Sequence, residues 1–489
     1  MSNLKEKTIS GLFYKFAERG ASAGVTFLIQ IILARLLLPE QFGTIALLAI
    51  IIAILNVFVT YGFGNSLIVN KNSDDLDFST CFFFGIAVSL IIYLILFIFA
   101  PSISRFIFGN SELGILIKVM ALRLPIAAIN SVQHAYVSKN MRFKMFFYST
   151  FIGTFLSGII SIAMAYSGFG VWALVAQYIS NSFLSTLSLW IIAKWRPKLL
   201  FSLKRLKIIY DYGWKILAVG LLDTIFGQIR SIVIAKYYSR SDLAYYDRGV
   251  AFPNFSMGLI EPTIGSVLFP ALSLCNDDRQ MMKVITRRAI ITSSYLVCGL
   301  LCFLIAISHS LVIVLLTEKW YNCIVFLQIG CLAIFFRPLQ FINNCLIRAS
   351  GRSGLLLKLD IIKKTIAVIL LLVSMNWGVE AIAWSLVVTN CISAIINIYP
   401  NKNILNYSYL LQFQDLFSNL KIGVIVGVAV WLLDYLPFAP IAVLSLQIIV
   451  GFALFIAISI LFKIESYYYL KNIVLSSKYS SLFQKNGKI

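Results

Sequence analysis

The stretch CFFFGIAVSLIIYLILFIFA at residues 81–100 contains no charged side chain and no alternation of polar with apolar residues. A helix of about 20 residues crosses the ~30 Å hydrocarbon core of a bilayer. Hydrocarbon offers no hydrogen-bond partner to the backbone, so only helices and closed barrels span it, and a barrel strand needs alternating residues. This stretch therefore predicts a transmembrane helix.

The composition of the whole chain agrees with that prediction. Of 489 residues, 60% are hydrophobic and only 12% are charged, and the mean hydropathy is +0.89. A water-soluble domain with such a surface would aggregate, so we predict an all-α membrane protein. The net charge of +21 fits lysine and arginine kept on the cytoplasmic side, and we expect no nucleic-acid partner.

Similar apolar runs, separated by Gly, Pro or charged residues, recur along the chain and predict about fourteen transmembrane helices. Their predicted bounds are 9–35, 43–65, 79–100, 113–136, 145–166, 170–194, 210–237, 244–273, 289–316, 321–348, 354–375, 379–398, 420–437 and 440–462.

The loops between these helices differ in charge and so predict the orientation. One alternating set holds most of the loop cations, whereas the other set offers only Arg35, Arg105, Lys236, Arg240 and Lys319. Because cytoplasmic loops carry the excess of lysine and arginine, we predict that both termini are cytoplasmic. The acidic loop from Lys71 to Asp77 is the one exception on the cytoplasmic side. We place the protein in the inner (plasma) membrane.

The sequence contains few residues arranged as metal-binding, nucleotide-binding or catalytic motifs. The eight cysteines form no Cys-x-x-Cys pair, and His134 and His309 are the only imidazoles, so we expect no disulfide framework and no metal site. No phosphate-binding Gly-x-x-x-x-Gly-Lys loop, nucleophile elbow or His-Glu-x-x-His motif is present. We therefore predict no catalytic residue and no cofactor. The first segment lacks the apolar core of a cleavable signal peptide, and we expect it to stay attached.

An internal repeat relates each helix to the one six positions later. Residues 31–35 match residues 232–236, and Arg123, Asn130 and His134 match Arg337, Asn344 and Arg348 at identical spacing. Six is an even number, so both halves keep one orientation, which predicts a pseudo-two-fold axis along the membrane normal. We predict two six-helix lobes, residues 1–200 and 201–400, followed by an extra helix pair and a cytoplasmic tail at 401–489.

Charged side chains share single faces of several predicted helices. In the first helix Lys15, Arg19 and the polar residues after them step by three and four, and Asp223 and Arg230 are seven apart in the seventh. An ionisable group at the centre of a membrane helix costs roughly 2.5–3.5 kcal/mol, so it should face water or a partner.

Two interpretations of these faces stay open. The residues are helix-end side chains that reach the headgroups or pair with each other, or they line a shared polar cavity. In the second case the cationic excess suits an anionic ligand, since guanidinium groups bind phosphate oxygens in pairs. The predicted substrate-binding residues are Lys15, Arg19, Arg123, Asn130, Arg230, Arg337 and Asn344. Asp223 and Glu261 are either partners of these cations or binding groups for a coupling H⁺ or Na⁺.

Three motifs, in this order and spacing, resemble a known family. They are ARLLLPEQFG at residues 34–43, SDLAYYDR at 241–248 and VLFPALS at 267–273. They look like the polysaccharide transporters of the multidrug/oligosaccharidyl-lipid/polysaccharide flippase superfamily, particularly the Wzx-type lipopolysaccharide and exopolysaccharide exporters. The likeness covers most of the chain, and Ala244 stands where the family usually has glycine.

The resemblance implies two six-helix lobes around a cationic cavity and the flipping of undecaprenyl-pyrophosphate-linked oligosaccharide to the periplasmic leaflet. It also implies polysaccharide polymerase machinery and membrane lipids as partners. Two other functions stay open: export of small amphipathic cations, which should need a carboxylate-dominated cavity, and polymerisation or ligation of polysaccharide, which should need catalytic residues in an extramembrane loop.

Overall fold

The computed structural model describes residues 20–60, 63–69, 73–108, 113–275 and 278–472. Within these ranges all regular secondary structure is helical and no strand occurs, which confirms the predicted all-α class. Two 3₁₀ turns lie at Glu318–Trp320 and Leu433–Tyr435, and residues 465–472 are also helical. The other α-helices are α1 Gly20–Leu36, α2 Pro39–Thr60, α3 Phe63–Val69, α4 Asp75–Phe108, α5 Gly114–Ala121, α6 Arg123–Lys139, α7 Lys144–Tyr166, α8 Val171–Ala193, α9 Leu203–Tyr237, α10 Arg240–Leu274, α11 Arg279–Ala306, α12 Ser308–Leu316, α13 Cys323–Ile334, α14 Arg337–Ala349, α15 Ser353–Ser374, α16 Val379–Leu405, α17 Tyr409–Phe417, α18 Leu420–Leu432 and α19 Pro440–Leu461.

Eleven helical segments in the described ranges are long and apolar enough to cross a bilayer, and α1 is a shorter apolar helix. The chain is thus a multi-pass membrane protein. Helices α8 and α15 have 23 and 22 residues but fall outside those eleven. The reason is their polar content, because α8 carries serines and amides and α15 carries four charged residues. The total of fourteen spans stays a prediction.

Two predicted helices are interrupted at corresponding places. In the predicted helix 113–136, α5 ends at Ala121 and α6 begins at Arg123. In the predicted helix 321–348, α13 ends at Ile334 and α14 begins at Arg337. Each pair of helices still forms one candidate membrane span, Gly114–Lys139 and Cys323–Ala349, and proline explains the break inside it.

A proline at position i cannot donate to the carbonyl at i−4, and its ring clashes with that carbonyl. Residue i−4 of Pro125 is Ala121, and residue i−4 of Pro338 is Ile334. Each upstream helix ends at that residue. Each proline then lies in the first turn of the next helix, where a missing N–H costs nothing.

Other boundaries also differ from the sequence prediction. Helix α4 has 34 residues, longer than the predicted 79–100, because polar residues extend it at both ends. The predicted helix 289–316 divides into α11 and α12. Helix α17, at Tyr409–Phe417, was not predicted, since nine residues are too few to cross a membrane.

The chain divides into two compact units, one up to Ala244 and one from Tyr245. In unit 1, Phe78 and Phe82 of α4 pack with Trp195 and with residues of α6 in one apolar cluster. In unit 2, Leu339 and Ile342 of α14 pack with residues of α10, α11 and α16 in another. The lobe boundaries at residues 200 and 400 and the pseudo-two-fold axis stay predictions.

The repeat at residues 31–35 and 232–236 continues into the next helix start. Before α2 the N–H of Leu38 donates to Oε1 of Gln41 at 3.1 Å. Before α10, 201 residues later, the N–H of Ser239 donates to Oδ2 of Asp242 at 3.2 Å. A side chain at the third position of each helix thus satisfies a backbone group that the helix leaves open.

Gly43 lets the start of α10 approach α2. A Cβ at residue 43 would lie 1.7 Å from the carbonyl oxygen of Arg240, so only glycine fits this contact in the ARLLLPEQFG motif. Beside it, Nη1 of Arg240 lies 3.4 Å from Oε1 of Glu40. The motif therefore joins the first helix pair of unit 1 to the end of the same unit.

The acidic loop that breaks the charge rule is neutralised by its neighbours. Lys198 lies 2.6 Å from Asp75, and Arg205 lies 3.6 Å from both Asp74 and Asp77. These cations belong to a neighbouring loop and to the start of α9, which the sequence places on the same cytoplasmic side. The three aspartates thus serve as partners for part of the cationic excess.

Asp74 and Asp77 also cap α4. The N–H of Asp77 donates to Oδ1 of Asp74 at 3.0 Å, and the N–H of Asp74 donates to Oδ2 of Asp77 at 3.2 Å. The hydrogen bond from Asp77 and the nearby Arg205 guanidinium together hold the pKa of Asp74 below its ordinary value. The capping energy therefore depends on pH.

The C-terminal helices are held to unit 2 by a buried polar cluster. Asp415 of α17 accepts two hydrogen bonds from Arg287 of α11, at 3.0 and 3.2 Å, and the hydroxyl of Tyr407 donates to the same carboxylate. Gln412 accepts a hydrogen bond from Asn343 of α14 at 2.9 Å. Four helices or loops thus meet at one carboxylate and one amide.

Replacing Asp415 with alanine should destabilise the protein by about 2 kcal/mol, since it leaves the buried Tyr407 hydroxyl without an acceptor. The measurement is thermal unfolding of the purified protein in detergent. Glu465→Ala is the matched control, because its pair with Arg288 is exposed and 3.6 Å long and should contribute little. Equal shifts for both variants would contradict the role of Asp415.

Replacing Asp74 with alanine should cost about 1 kcal/mol at neutral pH, the usual value of an N-cap. The folded pKa of Asp74 lies below its unfolded value of about 3.9. The stabilisation is therefore present above that unfolded value and is lost as the pH falls through the folded pKa. Unfolding measured from pH 7 to pH 3 should show the two proteins converge. Asp211→Ala, an exposed aspartate without a cap, should show no such convergence.

Candidate functional site

Unit 1 contains a polar cavity of about 490 Å³. Its walls come from α2, α3, α6, α7 and α8. Hydroxyl and amide side chains dominate the wall, together with one guanidinium and one imidazole, and among the described residues no carboxylate belongs to it. Its polar lining residues are Asn56, Thr60, Arg123, Asn130, Ser131, His134, Thr150, Asn181, Ser182, Ser185 and Thr186.

Arg123 is the positive group of this cavity. Its Nε donates to Oγ of Ser182 at 3.2 Å, and its guanidinium lies 5.0 Å from the ring centroid of Tyr178. No carboxylate in the described ranges pairs with it. The ring stabilises the cation without neutralising it, so Arg123 keeps its charge for an anionic ligand.

Amides and imidazole complete the wall. Nδ2 of Asn181 lies 3.3 Å from Oγ1 of Thr154 and from Oγ of Ser157. Oδ1 of Asn130 is buried and lacks a hydrogen-bond donor among the described residues. His134 stacks on Phe146 at 4.0 Å between ring centroids. An unpaired buried acceptor costs about 1–3 kcal/mol, a cost that a donor on a bound ligand would remove.

Unit 2 has a different arrangement at the corresponding arginine. Nη2 of Arg337 lies 2.7 Å from Oε2 of Glu261, and Nη1 donates to Oδ1 of Asn254 at 3.1 Å. The side chains of Arg337 and Glu261 are 33% and 19% exposed, so the pair is largely shielded from water. Arg123 and Arg337 match in sequence, but only Arg337 is paired with a carboxylate in the described structure.

The other predicted residues are placed as follows. Lys15 and Arg19 lie outside the described residues. Asp223 and Arg230 lie on α9 in unit 1 and do not line its cavity. Asn344 lies on α14, where its Oδ1, like that of Asn130, is buried without a hydrogen-bond partner in the described ranges.

The sequence interpretation missed the contribution of α8. Tyr178, Ser182 and Thr186 are four residues apart, as are Asn181 and Ser185, so all five lie on one face of the helix. All five side chains are neutral, whereas the sequence prediction relied on charged residues at membrane depth. The four-residue spacing of these polar side chains was the available signal for a polar helix face.

The described ranges bring together no group of three His, Cys, Asp or Glu side chains suited to a metal ion. The eight cysteines are free thiols, and five of them are buried.

Comparison with known proteins identifies the family. Residues 32–325 match the family described as polysaccharide biosynthesis protein. The chain belongs to the polysaccharide biosynthesis protein family. All three resemblance motifs, at residues 34–43, 241–248 and 267–273, lie inside the matched range.

The curated relatives share less than a quarter of their residues with this chain in the matched regions. The succinoglycan biosynthesis transport protein ExoT of Rhizobium meliloti is 24% identical over 61% of this chain and 60% of its own length. The lipopolysaccharide biosynthesis protein WzxC of Escherichia coli is 23% identical over 74% of each chain. The match to ExoT thus spans well under two thirds of that relative.

Solved structures show the same fold. The lipid II flippase MurJ, in an inward closed conformation, superposes with a TM-score of 0.74 over 93% of this chain and 99% of its own, at 14% identity. An inward-facing multidrug resistance MATE transporter of the MOP superfamily gives 0.62 over 79% and 96%, at 15% identity. The predicted resemblance to a polysaccharide family is confirmed by the family match, and the solved structures show the fold. The names of these proteins describe transport and flipping and not catalysis, as predicted for this chain.

The Glu261–Arg337 pair can be tested by a double-mutant cycle. Glu261→Gln and Arg337→Gln should each destabilise the protein by leaving a shielded charge alone, and the double variant should lose less than the sum, with a coupling of about 1–3 kcal/mol. Thermal unfolding in detergent measures all four proteins. The exposed pair Lys198–Asp75 is the control and should couple much more weakly, because solvent screens it. Additive losses at Glu261 and Arg337 would contradict the pairing.

Proposed function

We propose that this protein flips undecaprenyl-pyrophosphate-linked oligosaccharide units from the cytoplasmic to the periplasmic leaflet of the inner membrane, for lipopolysaccharide or exopolysaccharide biosynthesis. Its termini face the cytoplasm in this proposal. The supporting observation is the cavity of unit 1, where Arg123 keeps an unneutralised charge among hydroxyl and amide groups. The names of ExoT and WzxC and the fold shared with MurJ support the same function.

The cavity suits both parts of such a headgroup. A guanidinium offers parallel N–H donors that match phosphate oxygens. Within the described ranges only Nε of Arg123 makes a hydrogen bond, so its Nη groups can donate to a ligand. The serines, threonines and asparagines around it can donate to and accept from sugar hydroxyls. The polyprenyl chain stays in the bilayer, where it needs no protein partner.

Coupling is assigned to the pair in unit 2. Glu261 holds one negative charge against Arg337 at 2.7 Å. An H⁺ or Na⁺ that reaches Glu261 neutralises the same carboxylate and so competes with Arg337 for it. The ion thus stabilises a conformation in which Arg337 is released from Glu261. Alternating access requires such a difference in interaction between its two conformations. Polysaccharide polymerase machinery is the expected consumer of the flipped product.

Export of amphipathic cations is the second candidate, favoured by the fold that the chain shares with MATE transporters. A cationic ligand would need carboxylates in the binding wall, and the unit 1 cavity presents Arg123 instead. The charge of the cavity therefore favours the anionic headgroup.

Arg123→Ala should reduce surface polysaccharide about 10- to 100-fold in a complementation assay, the effect of losing charged hydrogen bonds. Arg123→Lys should be intermediate because it keeps the charge without the planar fork. Arg19, Arg230 and Arg337 are replaced in parallel, and Arg142→Ala, an exposed loop arginine, is the control. Expression is confirmed for each variant by membrane immunoblot.

Unaltered glycan in all four arginine variants would contradict the proposed headgroup site. A polymerase or ligase is distinguished in reconstituted vesicles supplied with lipid-linked repeats on the outer leaflet. Elongation of that glycan by this chain would contradict a flippase, which only changes the leaflet of the lipid.

A further inference from the structure

A second cavity of unit 1 is a groove between α4 and α5, with a volume of about 470 Å³. One wall is aromatic, with Tyr93 and Phe97 of α4. The other is aliphatic, with Ile115 of α5 and Leu122, the residue that follows α5. Its size lies within the usual ~300–1,000 Å³ of ligand pockets. The groove shares no lining residue with the cavity that contains Arg123.

Close helix contact forms one end of the groove. Gly114 packs against Pro101 of α4, where a Cβ would lie 3.2 Å from the proline backbone. Pro101 and Gly114 also line the groove, so this close backbone contact closes it at one end.

The surface around the groove faces lipid. Ile98, Phe99 and Ile115 are 69%, 55% and 55% exposed, and α4 has one of the highest hydropathies among the candidate spans, 2.9 over its window. In a membrane protein such exposed apolar side chains contact acyl chains. An alkyl chain is thus the natural occupant of the apolar walls.

Lys118 is the one charged residue in the groove lining. Its ammonium lies 4.4 Å from the ring centroid of Phe97, and no carboxylate in the described ranges lies within ion-pair distance. Lys118 is four residues after the start of α5, about 6 Å along the helix, so its ammonium is within reach of the membrane boundary. A cation on a lipid-facing surface favours a negatively charged partner.

We infer that this groove binds an anionic phospholipid of the surrounding leaflet, with one acyl chain between Phe97 and Ile115 and its phosphate on Nζ of Lys118. The bilayer supplies this ligand at high concentration directly beside the open groove. A zwitterionic lipid such as phosphatidylethanolamine places its own ammonium near Lys118 and therefore gains less from the contact. The assignment depends on the groove alone and not on the flipping activity.

The test is native mass spectrometry of the purified full-length protein after incubation with vesicles of phosphatidylethanolamine and phosphatidylglycerol. The wild type should retain phosphatidylglycerol in preference to phosphatidylethanolamine. Lys118→Gln should lower that preference about fivefold, the effect of one lysine near an anionic lipid, and Lys118→Arg should keep it. Arg105→Gln is the matched control, because Arg105 is exposed on the same end of α4 but does not line the groove.

A second variant tests the apolar walls without touching the charge. Val119→Trp fills the groove and should reduce retention of both lipids, whereas Lys118→Gln changes only the preference between them. Undecaprenyl phosphate is added as a competing probe.

An unchanged phosphatidylglycerol preference in Lys118→Gln would overturn the inference, as would an equal loss in Arg105→Gln. Lys118-dependent binding of undecaprenyl phosphate without any phosphatidylglycerol preference would overturn it as well, since the groove would then belong to the polyprenyl carrier. Because the readout is bound lipid, failure of this inference leaves the transport assay of Arg123→Ala unaffected.

Discussion

Lipid offers the peptide group no hydrogen-bond partner, and every backbone N–H and C=O within the membrane must be satisfied inside its own segment. This constraint makes the described chain helical, and it makes each interruption significant. Pro125 and Pro338 interrupt two spans at corresponding places of the two units, and each interruption puts an arginine, Arg123 or Arg337, at the first position of the new helix. The same constraint thus determines both the fold and the place of its main charges.

The two arginines share a sequence position but not an environment. Arg337 meets Glu261 and Asn254, whereas Arg123 lies over Tyr178 and bonds a serine. Matching positions of the two units thus differ in what surrounds one charge. In the proposed function, the pair of Arg337 with Glu261 serves ion coupling and the guanidinium of Arg123 serves headgroup binding.

Much of the fold was readable from the sequence because its signals are strong. Uninterrupted apolar runs gave the helices, and the matched spacing of Arg123 with Asn130 and of Arg337 with Asn344 gave the repeat. Pro125 and Pro338 were visible in the sequence, but whether each would bend its helix or interrupt it was not, because proline in a membrane helix often bends it without ending it. The neutral face of α8 and the anchoring role of Asp415 were missed because serine, asparagine and a single loop aspartate carry little signal until their partners are known.

Among the described residues no carboxylate lines the wall around Arg123, and this has a consequence for the proposed flippase. Closing that cavity with nothing inside would remove a lone guanidinium from water, and an isolated buried charge is costly. A bound phosphate group removes this cost because it brings a negative charge. In the proposed function the unloaded protein should therefore resist occlusion, so that empty turnover is rare and a coupling-ion gradient is not dissipated by transporters that carry no cargo.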